Sequence, residues 1–181
     1  DNGLAKSAVA RLENSWGIGA TYVTSAGDTT LTISGGIADG EIATTATQAT
    51  SDKGGFNVGV VAVTGDLTIG VGYGDGDSFA ANDGTSTAAN REIDGSVMKA
   101  GIKYVTGDIT LALGVTAGEA KDSDTFGTAA TTDDSSDSTS ASVTYAVASG
   151  VSAVVGYTQV DQNNEGSSTT DGGSAWYVGA T

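Results

Sequence analysis

The chain has 181 residues and a formal net charge of −15, from 22 acids against 7 bases, with 28 Gly and no Pro, Cys or His. Such acidity excludes nucleic-acid binding, which needs clustered Lys and Arg at phosphates. The missing Cys and His exclude disulfides, thiol catalysis, His-based metal sites and Ser-His-Asp chemistry. Bulky aromatic residues are few, 3 Phe, 2 Trp and 6 Tyr, which is too little apolar volume for a packed globular core of this length.

In chain order, residues 1–15 place Leu4, Ala8 and Leu12 at helical spacing and read as a loop or short helix. From Trp16 onward the period is two, so alternate side chains point to opposite faces. In 16–26, Trp16, Ile18, Ala20 and Tyr22 share a face; in 29–37, Leu31, Ile33 and Ile37 oppose Thr30, Thr32 and Ser34. In 55–64 the apolar face is Phe56, Val58, Val60 and Ala62, and in 67–74 Leu67, Ile69, Val71 and Tyr73 oppose Thr68 and three glycines. In 96–105, Met98, Ala100, Ile102 and Tyr104 oppose Lys99 and Lys103; in 109–117, Ile109, Leu111, Leu113 and Val115 oppose Thr110 and Thr116. The pattern closes with Val143 and Tyr145 in 140–148, Val155 and Tyr157 in 151–160, and Trp176 and Val178 from about Ser174. Nine strands result, each near the ~9–11 residues a tilted strand needs to cross a bilayer.

Between these strands two kinds of connection alternate. Tight turns fall at Ala26-Gly27-Asp28, Thr64-Gly65-Asp66, Thr106-Gly107-Asp108 and Ala148-Ser149-Gly150. Gly accepts the positive φ that tight hairpins demand. Long acidic Gly/Ser/Thr-rich stretches separate the hairpins: 38–54, 75–94, 119–138 and 161–172 hold 17 of the acids. Short turns at one end and long loops at the other predict an all-β, antiparallel transmembrane β-barrel, with short periplasmic turns and long extracellular loops. Aromatic residues agree: Tyr22, Tyr104 and Tyr145 lie near the short turns, and Trp16, Phe56, Tyr73, Tyr157 and Trp176 near the long loops. Two such belts are where amphipathic rings settle at the two faces of a membrane. Disorder would not maintain this alternation. The competing reading is an extracellular β-rich structural protein, such as an adhesin or surface-layer module.

A single-chain barrel closes with an even number of strands, so nine predicts a partial count. The stretch Ala148-Ser149-Gly150-Val151-Ser152-Ala153-Val154-Val155-Gly156-Tyr157 and the closing Ala175-Trp176-Tyr177-Val178-Gly179-Ala180-Thr181 resemble the C-terminal half of a Gram-negative general porin of the alphaproteobacterial, Rhodobacter-like type. The resemblance implies a homotrimer of sixteen-stranded barrels in the outer membrane, in contact with its lipid, passing ions and small hydrophilic solutes by passive diffusion. With the last strand numbered sixteen, seven strands would precede those seen here. Such porins usually end in an aromatic residue, which this sequence lacks; a chain truncated at both ends is the expectation.

The candidate site is the channel wall. Lys99, Lys103, Thr110 and Thr68 share the polar phase and are expected to line the pore, with the two lysines roughly 13 Å apart at strand rise. The acidic loops would concentrate cations at the outer mouth. Asp122, Asp124 and Asp133 loosely echo a calcium loop, although Phe126 stands where an oxygen ligand belongs and the last ligand is Asp rather than Glu. No other cofactor is expected. Carboxylate pairs such as Asp133-Asp134 sit in hydrophilic stretches that would not shift their pKa values, so no enzyme is predicted.

Overall fold

A computed structural model describes residues 11–43, 51–80, 91–122, 132–164 and 170–180. They form nine strands: β1 (Arg11–Ala26), β2 (Thr29–Ala43), β3 (Ser51–Thr64), β4 (Leu67–Ala80), β5 (Arg91–Thr106), β6 (Ile109–Asp122), β7 (Thr132–Ala148), β8 (Val151–Asn164) and β9 (Thr170–Ala180). All belong to one sheet in the order β1 to β9, each pairing antiparallel with the next. The sheet is an up-and-down meander that does not close on itself.

The tight turns have the chemistry the sequence requires. Gly27, Gly65 and Gly107 have φ of 60°, 53° and 56°. Each is followed by an Asp outside the left-handed region, the arrangement of a two-residue type II′ hairpin with Gly first. The fourth turn differs. Gly150, at φ 78°, is the second turn residue, and the register between β7 and β8 shifts between Ala146 and Ala148. Neighbouring turns are tied together: Val105 N–H donates to the carbonyl of Asp66 at 3.0 Å, and Ala146 N–H to that of Asp108 at 2.8 Å.

At the other end the strands run well past their expected limits. Arg11 to Glu13 pair with Ala43 to Glu41 across a bulge at Asn14 and Ser15, where Asn14 has φ 51°. A strand therefore begins at Arg11, within the stretch read as loop or helix; residues 1–10 lie outside the described chain. Likewise, the acids assigned to long loops lie mostly on strands. Asp39 is on β2, Asp75 on β4, Glu119 on β6, Asp137 on β7 and Asp161 on β8. Of the seventeen, Asp83, Asp124 and Glu165 alone fall outside the described residues. The physical reason is that the antiparallel ladder is held by main-chain hydrogen bonds, which Gly, Ser and Asp form as readily as Val. The apolar alternation marks only the part of each strand facing a nonpolar medium.

Among the described residues no hydrophobic side chain is buried, and 28 large ones are exposed. Except for Val23, Val61, Val63 and Tyr177, these share the apolar phase of their strands. Exposure is extreme on β9, 75% for Trp176 and 84% for Val178, because no strand covers its far edge. Along β6, residues 109–120 alternate strictly between exposed apolar-phase and partly covered polar-phase positions. The polar face is therefore the concave one.

Candidate channel wall

Register places the predicted wall residues. Lys99 and Lys103 are both exposed on the polar face of β5. Lys103 stands directly between Thr68 of β4 and Ala112 of β6, and Lys99 between Gly72 and Thr116. Thr68 and Lys103 are thus neighbours. Thr110 sits one strand away, between Val105 and Thr144. The threonine beside Lys99, Thr116, was visible in the alternation of 109–117 without being singled out.

The wall around the lysines is bare. The polar phase of β4 includes Thr68, Gly70, Gly72, Gly74 and Gly76, and that of β6 includes Ala112 and Gly114. Over β1 to β4, a concavity of about 600 Å³ is lined by Gly17, Gly19, Thr21, Ser34, Gly36 and Asn57, with Ile18, Ile37, Phe56 and Asp75 also contributing. Small side chains lean over glycines directly opposite them: a Cβ on Gly36 would lie 3.5 Å from Asn57 Nδ2, and one on Gly114 3.2 Å from Ser140 Oγ. Hydroxyls and amides on a concave surface with little side-chain bulk keep such a wall wettable.

The convex face carries the belts. Tyr22 pairs with Ile33, Tyr104 with Leu67 and Leu111, and Tyr145 with Ile109 and Ala153, all near the tight turns. At the far end, Phe56 and Tyr73 have ring centroids 5.8 Å apart, and Tyr157 and Trp176 4.8 Å apart. Trp16 lies opposite Asp39. Just beyond these rings the same convex phase turns acidic. Tyr73 Oη donates to Asp75 Oδ2 at 3.1 Å; Tyr157 Oη donates to Gln159 Oε1 at 3.2 Å, and Gln159 Nε2 to Asp161 Oδ2 at 2.9 Å. Part of the negative charge therefore faces away from the concave wall, which alternation within the strand extensions could have revealed. On the concave side a separate hollow of about 440 Å³ is lined by Asp134, Ser136, Gln162 and Asp171, among others.

The calcium expectation is only partly placed. Asp122 ends β6 opposite Thr132, Asp133 is the second residue of β7, opposite Lys121, and Asp124 lies outside the described residues. Among the described residues no group of three or more acidic, Cys or His side chains is positioned to hold a metal ion. No helix there is long and apolar enough to cross a membrane, which leaves strand-based crossing untouched.

One apolar and one polar face on a single uncovered antiparallel sheet define the outer-membrane barrel class. The Gram-negative porin family model matches residues 1–181, and the chain belongs to that family. This sets aside the adhesin or surface-layer alternative. No curated protein sequence matches. Among solved structures the chain is similar to outer-membrane expressed OmpT of Vibrio cholerae, at 18% identity and TM-score 0.58, covering 92% of this chain and 55% of that one. It is also similar to OccAB4 of Acinetobacter baumannii, at 14% identity and TM-score 0.56, with 97% and 47% covered. An in-vitro folded, trimeric form of the Vibrio cholerae OmpT matches at 17% identity and TM-score 0.54, with 91% and 56% covered. These likenesses establish the fold. The chain spans about half the length of the structures it matches.

Proposed function

We propose that this chain is the C-terminal portion of an outer-membrane porin that forms a water-filled channel for passive diffusion of ions and small hydrophilic solutes. The observation that carries the reading is the division of faces. The strands expose apolar side chains on the convex side and chiefly small or polar residues on the concave side, with Val61, Val63, Val154 and Tyr177 among the exceptions, and there is no buried core among the described residues. In water that arrangement would leave a large apolar patch uncovered. In a bilayer it satisfies lipid outside and water inside, with backbone groups paired along the ladder.

The whole barrel is sixteen-stranded on this reading, of the Rhodobacter-like general type, and assembles as a homotrimer. The odd strand number and the half-length coverage of similar structures support a longer protein, and the trimeric form of the Vibrio cholerae protein supports the assembly. Passive diffusion uses no catalytic group and no bound cofactor; a calcium ion held by Asp122, Asp124 and Asp133 would be structural. Lys99 and Lys103 add positive charge to the wall, with Thr68 and Thr110 as hydroxyl lining. Insertion of the full-length protein into planar bilayers tests the channel. Stepwise, ohmic conductance increments are expected, and membranes that stay sealed despite a heat-modifiable, folded band on SDS gels would refute it.

A further inference from the structure

Gly156, on the concave face of β8, is one of two residues, with Gly40, that are buried among those whose exposure is described. Its cover is Tyr177, directly opposite on β9. A Cβ built on Gly156 would overlap Cζ and Oη of Tyr177 and lie within 2.6 Å of Cε1, so the ring lies flat in the space a side chain would take. Asn57 over Gly36 shows the same leaning at ordinary contact distance, and Ser140 over Gly114 shows it at a tighter 3.2 Å. A built Cβ is also too close at Gly55, 2.7 Å from the carbonyl of Asp75, and at Gly172, 2.8 Å from Asp161 Oδ1, but among the described glycines the overlap is deepest at Gly156, where the covering group is an aromatic ring.

Asp161 also leans over Gly172 in this ladder, but an aromatic ring over a glycine occurs there only at Gly156 and Tyr177 among the described residues. Gly156 is the one glycine of β8, flanked on its face by Val154 and Thr158. Tyr177 is the one large residue on the polar phase of β9, whose other members are Asp171, Gly173, Ala175 and Gly179. Register on β9 needs such a device. A slip of one residue would turn Trp176 and Val178 into the polar face and is blocked by the pattern itself. A slip of two keeps both on the apolar face, and the small residues of β9 offer little against it. It would, however, drive the Tyr177 ring onto Thr158 or Val154, whose branched side chains leave no flat space.

We propose that Tyr177 and Gly156 form a register lock for the β8–β9 pair, the ring serving as the side chain that Gly156 lacks. The lock is a property of strand pairing and stands apart from what the channel conducts. The competing determinant is the Tyr157–Trp176 contact on the convex face, which a two-residue slip would also break.

Cysteine pairs separate the two, because the chain has no Cys of its own. Thr158→Cys with Ala175→Cys reports the native register. Val160→Cys with Ala175→Cys, and Thr158→Cys with Gly173→Cys, report slips of two in either direction. Diagonal positions sit ~7–8 Å apart in the native register, too far for a disulfide without movement. In the full-length protein in membranes, only the native pair should oxidise. Tyr177→Ala should raise slipped cross-linking about tenfold, the factor expected when an aromatic contact of ordinary strength is lost. Tyr177→Phe should keep one register, since the ring and not the hydroxyl fills the gap. Unchanged, exclusively native cross-linking in Tyr177→Ala would overturn the lock and leave the register to Trp176. A second readout is the temperature at which the folded band is lost on gels. Gly156→Ala should lower it in the natural background and leave it unchanged in the Tyr177→Ala background; equal losses in both would also overturn the proposal.

Discussion

Leu113 and Gly114 are consecutive in β6 and meet different surroundings. Leu113, across from Ile102 and Ala141, belongs to a continuous apolar field. Gly114, across from Gly101 and Ser140, belongs to a wall of hydroxyls and bare backbone. The difference teaches that in this protein the phase of a residue decides its solvent, while its depth along the strand decides only which part of that solvent it meets. From Ile109 to Ala117 the apolar phase covers about 26 Å of strand. Tilted by ~40°, that spans about 20 Å, close to the ~25 Å apolar band of an outer-membrane barrel.

The largest expected effect comes from placing one charge on each face. Leu113→Arg at mid-band should cost ~2–4 kcal/mol of folding free energy. Thr110→Arg, on the concave face of the same strand, should cost under ~1 kcal/mol, because its head group stays in water. Urea titrations of the full-length protein in lipid vesicles would compare them; equal costs would mean that the two faces share one environment.

A second test concerns the concave wall alone. Acids on convex phases, such as Asp75 and Asp161, are directed away from the concave wall; Asp134 and Asp171 share its face. The channel should still prefer cations, with Lys99 and Lys103 opposing that preference. Lys99→Ala with Lys103→Ala should therefore move the reversal potential in a salt gradient further toward cation selectivity. An anion-selective parent would overturn the sign, and an unmoved potential would place both lysines outside the rate-limiting stretch.

Much of this contrast was legible in the sequence, because it depends on period two and on little else. The nine strands, their order and the Gly-Asp turns follow from alternation between tight-turn signals. The strand extensions did not. Asp75-Gly76-Asp77 and the Ser-rich run 134–140 look like loop by composition, yet they pair through their backbones. The bulge at Asn14 and the shift after Ala146 are single-residue insertions that leave no compositional mark. Tyr177 was visible only as the neighbour of Trp176. Its partner Gly156 is an ordinary strand glycine until the register brings the ring over it.

A smaller effect should separate the turns from the strand interiors. Gly65→Ala forces a side chain into φ 53° and should cost about 1 kcal/mol. Gly70→Ala meets Val61 Cγ2 at 3.5 Å and Val60 O at 3.8 Å, ordinary contacts, and should be neutral or slightly stabilising through lower unfolded-state entropy. Reversal of that order in vesicle unfolding titrations would mean that close wall packing, and not turn conformation, decides where glycine is required.

The smallest effect tests where the apolar field ends. Phe56 faces Asp75 across the β3–β4 ladder, and Tyr73 packs its ring on Phe56 while its hydroxyl donates to that same carboxylate. One residue thus joins the last apolar contact to the first charged one. Phe56→Leu combined with Tyr73→Leu should show a coupling of ~0.5–1 kcal/mol from ring contact. Tyr73→Phe keeps the ring and should lose only about 0.5 kcal/mol, the ordinary net worth of a solvent-accessible hydrogen bond. Asp75→Ala should remove that increment, so that Tyr73→Phe becomes silent in its background. A Tyr73→Phe cost that survives Asp75→Ala would show that the hydroxyl is held by lipid head groups or water, and would move the edge of the apolar field inward from Asp75 to Tyr73.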